Sequence, residues 1–121
     1  MKKTPWVVAT MVVLTLMIAA PVSAHDGAGC AHDDPTIGAL RECVVHAASE
    51  GHITSPAVTK VLLAELDAAQ AALDRGRPRV AINLLRAFIW TVQAQSGKHI
   101  AAEHAAHLIE HAQMVIQALS Q

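Results

Sequence analysis

The stretch Val80 to Ile100, VAINLLRAFIWTVQAQSGKHI, decides the fold. Its apolar residues Ala81, Leu84, Leu85, Phe88, Ile89 and Val92 recur at the three- and four-residue spacing that stacks side chains on one side of a helix, and Gly97 stops the run. A stripe of this width has to be buried, so the flanking sequence must supply partner surfaces. Upstream, Ser55-Pro56 pairs an N-cap with a proline at the first helical position, and Val58, Leu62, Leu66, Ala69 and Leu73 form a second stripe widened by Val61 and Leu63. Gly76 ends that helix and Pro78 starts the next, which leaves a connection too short for anything but an antiparallel pair.

Further upstream, Asp34-Pro35 offers the same cap-then-proline device, and Ile37, Leu40, Val44 and Ala47 mark a shorter amphipathic helix ending near Gly51. Downstream, Ala105, Leu108, Ile109, Ala112, Val115, Ile116 and Leu119 mark a fourth helix. The plan repeats. Gly51-His52-Ile53 precedes the second helix as His99-Ile100 precedes the fourth, and Ile53 lies about as far from Leu73 as Ile100 does from Leu119. The fold class expected is all-α: an antiparallel up-and-down four-helix bundle built from two helical hairpins, over residues 36–121. No segment carries the β-branched alternation of a strand.

The first residues describe a destination. Met1-Lys2-Lys3, an apolar run from Pro5 to Ala20, and Pro21-Val22-Ser23-Ala24 have the order of a secretory signal, with cleavage expected after Ala24; the run is short for a membrane span. The exported remainder is expected to be secreted or periplasmic, with no membrane span of its own. Nine basic residues oppose ten acidic ones, and Lys2 and Lys3 leave with the signal, so the remainder is mildly acidic. That balance argues against nucleic acid, because the one basic group, Arg75, Arg77 and Arg79, sits around a helix end where cations complement the dipole.

Residues 25–35, HDGAGCAHDDP, lack an apolar period and read as an irregular arm. Two cysteines in an oxidising compartment point to one disulfide, Cys30–Cys43, which would restrain the unfolded chain by about 3 kcal/mol and hold the arm on the flank of the bundle. Lipidation of Cys30 is the rival, since Ala28-Gly29 precede it. Against that, Gly27 stands where an aliphatic residue belongs, and His25 and Asp26 separate the cysteine from the apolar run.

The ordered pieces Ala81-Ile82-Asn83, Leu85, Ala87-Phe88-Ile89, Val92, Ala94, Gly97 and Ile100 resemble the signature of the FIMAH domain, a small helical module appended to larger secreted bacterial hydrolases and surface proteins. Gly51, Ile53, Leu62-Leu63, Leu66 and Ala69 resemble its first half, and Ala105, Leu108-Ile109 and Ala112 its last helix, from about Ile37 to Leu119. The resemblance implies an exported, non-catalytic module serving attachment or assembly. In this chain the module is expected to stand alone behind a signal peptide, and it carries in addition a cysteine pair, a histidine-rich arm and Trp90.

Trp90 lies on the helical wheel opposite the stripe, with Arg86 and Ile82 one and two turns before it. An exposed tryptophan beside an arginine is the composition of an interface anchor, and Ile82, Arg86 and Trp90 are the candidate partner-binding residues. Alternatively, the arm or the aliphatic stem of Arg86 covers the ring.

Three of eight histidines, His104, His107 and His111, form a strip beside the apolar stripe of the fourth helix, bordered by Glu103 and Glu110. Histidines four apart can grip one ion of zinc, copper or nickel, but His104 and His111 are about 10 Å of helix rise apart, so a closed site would need His25, His32, Asp33 or Asp34 from the arm, or a second copy of the chain. A plain solvated flank is the alternative, with no cofactor. Ser49, Ser55, Ser96 and Ser120 sit at turns or the tail, the carboxylates are dispersed, and oxidised cysteines are no nucleophiles, so an enzyme is not expected. The function expected is protein contact, with metal binding as the alternative.

Overall fold

The computed structural model describes residues 30–121. Four helices follow the irregular arm: α1 (Ile37–Ser49), α2 (Pro56–Asp74), α3 (Pro78–Gln95) and α4 (Ala102–Leu119). Each packs on two neighbours, α2 on α3, α3 on α4, and α1 on both α2 and α4, so α1 and α3 stand at diagonal corners of a four-helix arrangement.

The α3 stripe is the innermost surface. Ala81, Leu85, Phe88 and Val92 are fully buried, and Ile89 nearly so, against Leu62, Leu66 and Ala69 of α2, Leu40 and Val44 of α1, and Ala105, Leu108, Ala112 and Val115 of α4. Each large side chain removed from water in this way contributes about 1.5–3 kcal/mol. Leu84, at the margin of the stripe, is only partly covered.

The repeated segments before α2 and α4 meet. Ile53 and Ile100 form an isolated antiparallel bridge in which the Thr54 amide donates to the His99 carbonyl and the Ala101 amide to the His52 carbonyl, both at 2.8 Å. Both isoleucines are buried beneath it. The bridge brings the end of α1, the start of α2, the end of α3 and the start of α4 to one end of the molecule, which makes the helices alternate in direction. At the other end the α2–α3 turn closes within three residues: Gly76, at φ 72°, donates to the Leu73 carbonyl and Arg77 to that of Ala72, a left-handed helix stop that an L side chain would strain.

One boundary differs from the sequence expectation. The N-cap of α1 is Thr36, whose Oγ1 accepts from the Ala39 amide at 3.1 Å, rather than Asp34 followed by a helical Pro35. Asp34 stays outside the helix because its carbonyl oxygen is taken by a side chain of α4. The signal segment, its cleavage point, and His25 of the arm lie outside the described residues.

Candidate functional site

The arm reaches α1 through the disulfide Cys30–Cys43 and lies over the seam between α1 and α4. Cys43 itself is buried and Cys30 partly exposed. On this seam a pocket of about 450 Å³ is walled by the disulfide and by five histidines: His32 from the arm, His46 from α1, His52 from the α1–α2 connection, and His104 and His107 from α4, with Glu50 at its edge. Each is delivered by a different local rule. His46 stands three residues after Cys43 and so on the same face of α1, and His52 is placed by the bridge that fixes its carbonyl to Ala101.

The imidazoles are close. The rings of His52 and His104 stack at 3.5 Å between centroids with an interplanar angle of 15°, and His107 lies 6.4 Å from His104 and 6.0 Å from His32. Burial of His104 and the neighbouring His52 hold its imidazole below the ordinary histidine range, with Glu103 opposing and His107 and His46 reinforcing the shift. Protonating His104 would press a cation against the ring of His52.

The strip of α4 histidines therefore divides. His104 and His107 face the pocket, whereas His111 is buried, at 2 % exposure, rather than lying on a solvated flank. The arm covers it. Its Nε2 lies 2.7 Å from the Asp34 carbonyl oxygen and its Nδ1 3.6 Å from Cys43 Sγ. Glu103 and Glu110 remain exposed beside it. His46 and His52 are pocket residues that the sequence did not single out, although the three-residue step from Cys43 to His46 was a usable signal.

The candidate contact residues are on the far side. Ile82, Arg86 and Trp90 follow one another at single-turn intervals along the outer face of α3, with Ile82 half-buried, Arg86 exposed and Trp90 72 % exposed. Neither the described part of the arm, residues 30–35, which lies on the α1–α4 seam, nor the Arg86 stem covers the indole. Arg75, Arg77 and Arg79 are exposed at the α2–α3 turn. Among the described residues, no helix is long and apolar enough to cross a membrane.

Comparison with protein-family models matches the FIMAH domain over residues 37–117, from the first residue of α1 almost to the end of α4. This chain belongs to the FIMAH family. No curated protein and no solved structure matches it. Within the FIMAH region lie His46, His52, His104, His107 and His111, while Cys30 and His32, which complete the pocket, precede it.

The depressed His104 imidazole has a consequence for stability. Above the ordinary histidine range both folded and unfolded chains carry the neutral ring; as pH falls through that range the unfolded chain takes up the proton first, so stability is lost towards acid. His104→Gln should flatten that loss between neutral pH and about pH 5 in urea denaturation, while leaving stability at pH 8 little changed. An unaltered pH dependence in the variant would show that the stacked pair is not its source.

Proposed function

We propose that this FIMAH domain is an exported module that acts by non-catalytic contact with a protein partner, in attachment or assembly, through the outer face of α3. The observation that carries this is Trp90. A tryptophan left 72 % exposed on a regular helix, flanked by Arg86 and Ile82, offers a large rigid apolar surface with a charged neighbour, the residue types that dominate binding at protein interfaces. The disulfide suits an extracellular or surface location, as does membership of the family. Trp90→Ala should reduce recovery of the partner from the native extracellular fraction by about tenfold or more without lowering the melting temperature, since the side chain supports no core contact. Equal recovery by variant and parent would remove this face from consideration.

A second reading rests on the convergence of His32, His46, His52, His104 and His107 on one pocket. Imidazoles suit zinc, copper and nickel, and rotation of the stacked pair would turn ring nitrogens inward. Such a histidine-rich buffering site would use His104 and His107 as its α4 ligands once the rings turn, with His111 behind them. Calorimetric titration of the disulfide-bonded protein with zinc or copper should show binding that the combined replacement of His104, His107 and His111 by alanine weakens at least tenfold; identical isotherms would exclude it.

A further inference from the structure

In the wall of the histidine pocket, Cys30 and His32 of the arm and Cys43 of α1 bring ligand atoms together, and His111 of α4 lies beside Cys43. Cys30 Sγ lies 3.6 Å and 3.5 Å from Nδ1 and Nε2 of His32, and Cys43 Sγ lies 3.6 Å from Nδ1 of His111. Ligand atoms of Cys30, His32 and Cys43 all fall within 4.8 Å of one another, the one such group among the described residues. For comparison, a tetrahedral zinc ion with sulfur at ~2.3 Å and nitrogen at ~2.05 Å sets its sulfur and nitrogen ligands ~3.6 Å apart. The Cys43–His111 separation thus matches two ligands on one ion, whereas Cys30 Sγ, equidistant from both nitrogens of His32, lies over that ring, and the exposed ring, 6.4 Å from His111 between centroids, has to turn to present a nitrogen.

The buried His111 adds an independent observation. A carbonyl oxygen can only accept, so in the uncharged imidazole the hydrogen sits on Nε2 and is donated to Asp34, leaving Nδ1 as a bare acceptor aimed at Cys43 Sγ. A disulfide sulfur carries no hydrogen to offer it. The Nδ1 lone pair of the uncharged ring then has no hydrogen donor in the oxidised protein, at a site only 2 % exposed. A thiol on Cys43 would answer it, and so would a metal ion. An imidazole whose second nitrogen is tied to a backbone carbonyl is also how proteins orient a metal-binding histidine.

We infer that Cys30–Cys43 gates a second metal site: reduction of the bond frees two thiolates that, with His111 and His32, bind one thiophilic ion such as zinc. This inference depends neither on the α3 contact face nor on metal binding by the oxidised pocket. The electrons come from a dithiol. Its thiolate attacks Cys30 Sγ, the more exposed sulfur, and Cys43 departs as thiolate; the second thiol of the donor then closes the donor's own disulfide and releases Cys30. Two electrons and two protons pass to the protein, and the ion displaces the two thiol protons as it binds. Oxidation reverses the sequence and expels the metal. The pocket wall, which includes both cysteines, gives the donor and the ion their approach.

The test uses the processed protein, oxidised or reduced with a phosphine that is converted to its oxide with oxygen from water, titrated without air with cobalt(II) and then zinc(II). The reduced protein should bind one equivalent of cobalt with a thiolate-to-metal charge-transfer band that zinc abolishes, and should bind zinc more than about a hundredfold tighter than the oxidised form. His111→Ala and the exposed His32→Ala should each weaken zinc binding to the reduced form by about tenfold to a hundredfold. Circular dichroism follows helicity in the same titration: a reduced chain that holds or regains its helices with zinc supports the site. Zinc bound by a chain that stays unfolded counts against it. Equal zinc affinity in the two redox states, or unchanged affinity in both histidine variants, would overturn it.

Discussion

Burial of the α3 stripe is the constraint on which the rest of the structure depends. Ala81, Leu85, Phe88 and Val92 present one continuous apolar face, and no single helix can cover it. Two neighbours, α2 and α4, flank it directly, and α1 closes the remaining corner. The isoleucine bridge between the two connections then sets the ends of all four helices in register, since Ile53 and Ile100 are buried together and their segments exchange backbone hydrogen bonds. Surface pairs add little to this. Arg41 and Asp67 join α1 to α2 at 2.8 Å, but both are largely exposed, and such pairs contribute ~0–1 kcal/mol.

The diagonal arrangement separates two kinds of surface. The outer face of α3 carries Trp90, Arg86 and Ile82, whereas the α1–α4 seam, across the bundle, carries the arm, the disulfide and the histidines. Either can change without passing through the other. The FIMAH frame supplies the helices of both surfaces, and the proposed gated site draws Cys30 and His32 from outside the matched region.

The helices were legible in the sequence because amphipathic periodicity is local: the spacing of Leu62, Leu66 and Ala69 needs no knowledge of their partners. The exposure of Trp90 was legible for the same reason, as an angle on a wheel. The start of α1 was not, because Asp34 and Thr36 both have cap chemistry, and the choice between them turns on a contact with His111, seventy-seven residues after Asp34. The histidine pocket was legible only in part. His104 and His107 stood out on one helix, and His46 shares the face of Cys43 on α1, but His52 joins them through the bridge between connections, and His111 is buried because the stapled arm folds over it. Both depend on contacts between distant segments, which periodicity does not encode.

Hydrogen exchange of backbone amides in the native protein tests the central claim most directly. If the α3 stripe organises the bundle, the amides of Leu85, Phe88, Ile89 and Val92 exchange only through global unfolding and are protected by the full stability of the domain, together with those of Leu62 and Leu66 that pack beside them. Exchange of the α3 amides through a lower-energy local opening, with α1 and α4 still protected, would contradict the account.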